Sequence, residues 1–243
     1  MMNWVEKFPL IAHRGLHSDT IAENSAESFE KSIEHGHAIE FDIQFLSNNE
    51  PIVFHDDSLA RMTGEKCRIS DLNPRFLKYL SYKDGQRILT FPEALELVDS
   101  RVPILIEVKN DTFTIAGLNK LLTYLRPYRG KFSIQSFNPQ ILSLIKSKMP
   151  HYSIGQLTTR WEKTEVSFWK KSILRHAEFL NDLNFIAVDK EKIGRKERLI
   201  STTKKIPLLC WTIKSQEELS LMSQYCEGFI FEGFLPAEIS SSP

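Results

Sequence analysis

Short apolar runs alternate along the chain with longer segments whose apolar residues recur every three or four positions. The first pattern fits buried strands and the second fits helices lying on them. Strand-like runs fall at residues 8–12, 38–45, 51–54, 104–108, 132–136, 152–157, 185–188, 207–213 and 229–231. Helix-like segments fall at 26–35, 92–99, 115–125, 139–148, 167–183 and 215–225. Asn24-Ser25 supplies a cap before the first helix, and Pro92 followed by Glu93 opens the second. This alternation is the organisation of an α/β protein. No internal repeat or low-complexity linker interrupts it.

Nine strand-like runs are one too many for an eightfold barrel, and chain length settles which run is extra. Too few residues, Ser47-Asn48-Asn49 among them, separate the second run from the third. A parallel crossover needs roughly ten or more. Residues 51–54 are therefore predicted to be the return arm of a hairpin, with Asn48-Asn49 in its turn. The hairpin carries His55 back toward the C-terminal end of the second strand, where barrel active sites sit. The expected fold is an α/β (β/α)8 TIM barrel, one domain over residues 1–243, with a small insertion lobe at about 51–90. Residues 56–90 mix Gly, Pro and charge, with a short helix near 74–80, and read as a lobe or lid over the barrel mouth.

Bulk properties narrow the function. The 243 residues approach the ~250 of such a barrel. With 42% hydrophobic and 26% charged residues, the composition is that of an ordinary globular protein. Thirty-one basic residues balance 31 acidic ones, which argues against a polyanion-binding surface and a nucleic-acid partner. Cys67, Cys210 and Cys226 are odd in number and widely spaced, so free thiols are expected rather than a disulfide framework or a cysteine zinc site. The opening MMNWVEKFPLIAHRG lacks the pattern of a signal peptide, and no window approaches the ~20 apolar residues of a spanning helix. A cytoplasmic location is the expectation. Oligomeric state is not legible.

Four groups of polar residues fall near predicted strand ends: His13-Arg14-Gly15, Glu40 with Asp42, His55-Asp56, and Glu107 with Lys109. Glu40 and Asp42 are two apart on a strand, so both leave the same face; Glu107 and Lys109 do likewise. An isolated E-x-D pair commonly sits on a solvated strand face. Here Ile39, Phe41 and Ile43 bury the opposite face, which turns the acids inward. Three inward carboxylates, Glu40, Asp42 and Glu107, repel one another unless a cation lies among them. Oxygen-only ligation suits one hard divalent ion, Mg²⁺ or Ca²⁺, better than zinc. His13 and His55 each end an apolar strand, and histidine is the residue type suited to giving and taking a proton in the cleavage of a phosphodiester. Arg14 and Lys109 supply positive charge for its non-bridging oxygens. His17, His35, His37, His151 and His176 have no motif behind them and read as surface or packing residues.

The strings IAHRG, AENSAESFEKSIEHG, IEFDIQ, PIVFHDDSLARMTG and LIEVK, in this order, resemble the glycerophosphodiester phosphodiesterase family. The likeness is dense from about residue 10 to 110 and thinner beyond, where Ser136-Phe137 and Cys210-Trp211-Thr212-Ile213 resemble later family motifs. It implies a (β/α)8 enzyme that hydrolyses a small-molecule glycerophosphodiester to glycerol 3-phosphate and an alcohol. It implies that Glu40, Asp42 and Glu107 ligate the divalent ion and that His13 and His55 form the general acid/base pair. It implies that Arg14 and Lys109 bind phosphate, that Glu23 and Asn24 lie beside metal and phosphate, and that Trp211 lines the glycerol side. Two departures stand out. Ala22 replaces a usual Pro before Glu-Asn, and Phe231-Glu232 replaces a usual Thr-Asp after the last strand, which is expected to reshape one barrel wall.

Rival readings keep the barrel and change its use. Residues 161–175 mix Trp161, Phe168 and Trp169 with Lys163, Lys170, Lys171 and Arg175, a pattern that also suits a lipid surface and a lysophospholipid or sugar-linked substrate. A non-catalytic binding module is the second rival, and the intact set of acids and histidines speaks against it. A sugar-phosphate isomerase leaves three clustered carboxylates beside two histidines unexplained.

Overall fold

The structure, a computed structural model, describes residues 4–158 and 183–237. Eight parallel strands close into a barrel: β1 (Leu10–His13), β2 (Ala38–Phe45), β4 (Ile104–Val108), β5 (Phe132–Ser136), β6 (Ile154–Thr158), β7 (Phe185–Asp189), β8 (Leu208–Ile213) and β9 (Gly228–Phe231). They follow one another in chain order, and pairing of β9 and β2 with β1 closes the ring. The fold is the expected TIM barrel. The extra run, β3 (Pro51–Val53), pairs antiparallel with the end of β2, Ile43 opposite Val53. Its turn places Asn49 at φ +66°, a left-handed conformation that Asn tolerates.

Strand parity sorts the residues into two layers. Leu10, Ala12, Ile39, Phe41, Ile43, Ile104, Ile106 and Val108 face outward into the main core under the helices. Ile11, Ala38, Leu105, Phe185, Ala187, Leu209 and Ile230 fill the barrel interior. Trp4 and Val5 plug the end opposite the strand C-termini, Trp4 Nε1 donating to Ser133 Oγ at 3.1 Å. Two glycines make the interior fit. A Cβ on Gly155 would lie 2.1 Å from the Phe185 ring, and one on Gly228 would lie 2.7 Å from Val5.

The helices α1 (Ala26–Glu34), α4 (Phe91–Val98), α5 (Ile115–Leu125) and α6 (Pro139–Lys148) lie where the apolar period placed them. Ser25 and Thr90 close capping boxes at the first two. Two further helices, α7 (Arg195–Lys204) and α8 (Gln216–Met222), flank β8. The periodic pattern had not shown α7. Its sequence RKERLISTTK has two apolar residues, one of them the 63% exposed Leu199, so it carries no apolar face to read. The expected helix at 167–183 and the aromatic-basic stretch 161–175 lie outside the described residues.

Between β3 and α4 the chain makes α2 (Ala60–Thr63), a 3₁₀ turn (Ile69–Asp71) and α3 (Pro74–Leu77). This lobe has its own small core, in which Ile52, Phe54, Leu59, Ile69, Leu77 and Tyr82 pack together. The Tyr82 hydroxyl reaches back to the carbonyls of Asn24 (3.3 Å) and Val53 (3.4 Å), tying the lobe to the barrel mouth.

Candidate active site

A pocket of about 530 Å³ opens at the C-terminal ends of the strands. His13, Arg14, Glu23, Glu40, His55, Glu107, Lys109 and Trp211 line it, so eight of the ten residues singled out from sequence share one cavity. The other two, Asp42 and Asn24, lie behind the wall. Register explains the convergence: His13 is opposite Glu40 across β1–β2, and Asp42 is opposite Glu107 across β2–β4.

Glu40, Asp42 and Glu107 are buried, with ligand atoms all within 4.8 Å of one another. Burial, then Asp42 and Glu107, push the Glu40 carboxyl well above the usual carboxylate range. Burial also pushes Asp42 upward, but Lys109 and Arg14 outweigh it and hold that carboxyl well below the usual range. Lys109 Nζ lies 2.8 Å from Glu107 and 3.5 Å from Asp42. Arg14 Nε lies 3.3 Å from Asp42, and the Arg14 backbone N–H donates to Glu40 at 3.1 Å. That donation needs the tight Arg14-Gly15 turn, at φ +56° and +78°. A Cβ at Gly15 would meet Ser28 Oγ at 2.5 Å, so only glycine fits. Asp42 Oδ1 is buried without a hydrogen bond, Lys109 Nζ lying 3.5 Å away, and Oε1 of the pocket-lining Gln135 is likewise buried without one. An orphaned carboxylate oxygen within an oxygen-only donor set fits one hard divalent cation.

Asn24 is expected beside metal and phosphate, and it sits against Asp42, one of the expected metal ligands. It is buried, donates from Nδ2 to Asp42 at 3.0 Å and accepts from the Asp42 N–H at 3.4 Å. It therefore braces Asp42 rather than facing the cavity. Glu23 does line the cavity, held by Arg14 at 2.9 Å and by both nitrogens of Arg61 at 2.6 and 3.0 Å. These cations outweigh burial and lower the Glu23 carboxyl.

His13 and His55 are each backed by a carboxylate, and each of those carboxylates by a cation. His55 Nδ1 lies 2.7 Å from Asp56 Oδ1, and Arg61 from the lobe grips Asp56 with Nε and Nη2 at 2.6 and 2.9 Å. His13 Nδ1 lies 2.5 Å from Glu232 Oε2, and Lys214 Nζ lies 2.8 Å from Glu232 Oε1. The hydrogen bond from His13, with help from Lys214, drives the Glu232 carboxyl far below its ordinary value. A proton given from Nδ1 to a carboxylate fixes the tautomer and leaves Nε2 as the working nitrogen. Nε2 of His13 faces Glu40 at 4.0 Å.

Two placements differ from expectation. Phe231 is fully buried on the outer face of β9, edge-on to His37 at 5.2 Å and to Phe234 at 5.7 Å, and does not shape the pocket wall. Its neighbours Ile230 and Glu232 do, because alternate residues of a strand face inward. His17 is not a surface residue; it lines the pocket, 3.9 Å from Glu232, and burial lowers its basicity. Gln135 and Leu157, which the sequence reading does not single out, complete the lining with Phe137 of the Ser136-Phe137 motif, which stands edge-on to Trp211 at 5.7 Å. Gln135 has a readable signal: it sits opposite Glu107 on the next strand, with the same parity.

Fold and mouth together define a (β/α)8-barrel enzyme with its polar chemistry at the strand C-termini. The chain belongs to the glycerophosphoryl diester phosphodiesterase family, whose model matches residues 13–231. It is 27% identical over 225 residues to the glycerophosphodiester phosphodiesterase of Caldanaerobacter subterraneus subsp. tengcongensis, covering 88% of each chain. Its fold matches an Oleispira antarctica phosphodiesterase solved in complex with the product sn-glycerol-3-phosphate (TM-score 0.76, 22% identity, 92% of each chain). It also matches the Thermotoga maritima glycerophosphodiester phosphodiesterase (TM-score 0.72, 23% identity, 92% of this chain and 94% of that one). No helix among the described residues is long and apolar enough to cross a membrane.

Proposed function

We propose that the protein hydrolyses glycerophosphodiesters to glycerol 3-phosphate and an alcohol, with one divalent cation, Mg²⁺ or Ca²⁺, held by Glu40, Asp42 and Glu107. The observation that carries this reading is the convergence of two carboxylate-backed histidines, lining one cavity, with a buried three-carboxylate cluster set into its wall. When bound, the cation supplies positive charge beside a phosphate oxygen. Arg14 and Lys109 hold the phosphate's non-bridging oxygens and keep Asp42 ionised. His13 and His55, each with Nε2 free, divide the proton work: one accepts the proton of the attacking hydroxyl and the other donates to the departing oxygen. Glu23 orients Arg14, and Trp211 with Phe137 packs against the carbon skeleton of the substrate. The relatives' activity and the location of the cluster at the strand C-termini support this assignment.

The test is release of glycerol 3-phosphate from glycerophosphocholine and glycerophosphoethanolamine. Turnover abolished by EDTA, restored by Mg²⁺ or Ca²⁺ and lost in Glu107→Gln is expected. Turnover indifferent to EDTA would reject the cation; no turnover of either substrate with either ion would reject this substrate class.

A further inference from the structure

A second group of metal-ligating side chains stands at the same mouth. His13, His17 and Glu232 place their donor atoms within 4.8 Å of one another, all on half-buried side chains that line the pocket. Its chemistry differs from that of the acidic cluster: two imidazoles and one carboxylate suit a borderline ion such as Zn²⁺, not Mg²⁺ or Ca²⁺.

The internal distances are informative. His17 Nε2 is buried with no hydrogen-bond partner and lies 3.9 Å from Glu232 Oε2, too far to bond. Zinc bonds of ~2.0–2.2 Å at a tetrahedral angle separate two ligand atoms by roughly 3.3 Å, so this gap is close to what a shared ion needs. The His13 Nδ1 to Glu232 Oε2 distance is 2.5 Å, room for a proton but not for a metal. An ion entering there replaces that proton and widens the pair by roughly 1 Å. Lys214 holds the other oxygen, Glu232 Oε1, leaving Oε2 available to ligate. Burial lowers the basicity of the His17 ring, which favours the neutral form that binds metal.

We propose that His13, His17 and Glu232 form an inhibitory site for a zinc-class ion, separate from the acidic cluster and sharing His13 with the catalytic machinery. The proton balance is simple. With an ion on Nδ1, the ring's single proton moves from Nδ1 to Nε2. The nitrogen facing the pocket then changes from acceptor to donor, and the hydrogen bond to Glu232 is lost. The inhibition rests on the role given to His13 above; the binding does not.

The experiment titrates the full-length protein with Zn²⁺ against a chromogenic chelator, in excess Mg²⁺, and follows glycerophosphocholine turnover in parallel. One zinc ion per chain that Mg²⁺ does not displace is expected. His17→Ala and Glu232→Gln should each weaken it by more than the roughly tenfold that losing an outer partner costs, whereas Glu107→Gln should retain it. The zinc concentration that halves turnover should rise by a similar factor in His17→Ala, relative to that variant's own rate. Zinc affinity unchanged by His17→Ala, or lost in Glu107→Gln, overturns the site. Zinc that binds through His17 without slowing turnover supports the site and overturns its inhibitory role, together with the role of His13.

Discussion

His13 and His55 have the same support and acquire it in different ways. His55 and its carboxylate, Asp56, are adjacent in sequence and come as one unit at the end of the β2–β3 hairpin. His13 and its carboxylate, Glu232, are 219 residues apart and meet only when β9 closes the barrel against β1, which aligns Phe231 with Ala12 and so sets the next pair side by side. The local arm is tied to a lobe outside the barrel, through Arg61. The distant arm is tied within the barrel rim, through Lys214. Closure of the ring therefore completes the site as well as the fold, and the lobe after β3 is part of the chemistry's support.

The largest effects should come from the histidines themselves. His13→Ala and His55→Ala are each expected to lower kcat/KM by roughly two to four orders of magnitude. Equal, small losses would mean that neither ring handles a proton. The supports should separate the arms. Arg61 makes paired contacts to both Asp56 and Glu23, so Arg61→Ala should cost about tenfold or more, as loss of an orienting partner does. Lys214 is 61% exposed and makes one contact to Glu232, so Lys214→Ala should cost no more than about fivefold. The reverse order would show that the lobe is not coupled to the site.

The acidic cluster between the two arms predicts a proton effect. Burial and its two acidic neighbours push the Glu40 carboxyl well above the usual carboxylate range. Cation binding should therefore release up to about one proton, read as a dependence of the calorimetric enthalpy on the buffer's ionisation enthalpy. No dependence would contradict the upward shift of the Glu40 carboxyl.

The smallest effect lies behind the distant arm, at His37 under Phe231. Burial, with His35 beside it, lowers the His37 pKa from 6.5 to about 4. Between those values the unfolded chain takes up a proton and the folded chain does not, so stability falls as pH drops from about 6.5 to about 4. His37→Gln should flatten the stability–pH curve over that window, measured by chemical unfolding.

What could be read in the sequence follows the same division between local and distant. The hairpin, the β2 and β4 acids and His55-Asp56 depend on spacing along one or two neighbouring elements, and parity alone turns Glu40, Asp42 and Glu107 inward. The His13–Glu232 contact depends on ring closure, which no spacing encodes. Phe231 was misplaced although its signal was present: counting alternate positions along β9 puts Ile230 and Glu232 inside and Phe231 outside. The resemblance places Asn24 beside metal and phosphate, and its burial against Asp42 is a tertiary contact that no local pattern encodes. Helix α7 escaped notice because its few apolar residues form no stripe.

The measurement that most directly tests the paired-histidine account is kcat/KM for glycerophosphocholine as a function of pH, in the wild type, His13→Ala and His55→Ala. A bell-shaped wild-type profile is predicted, with a different limb abolished in each variant. Profiles of unchanged shape in both variants, reduced only in height, would contradict acid–base catalysis by these two residues.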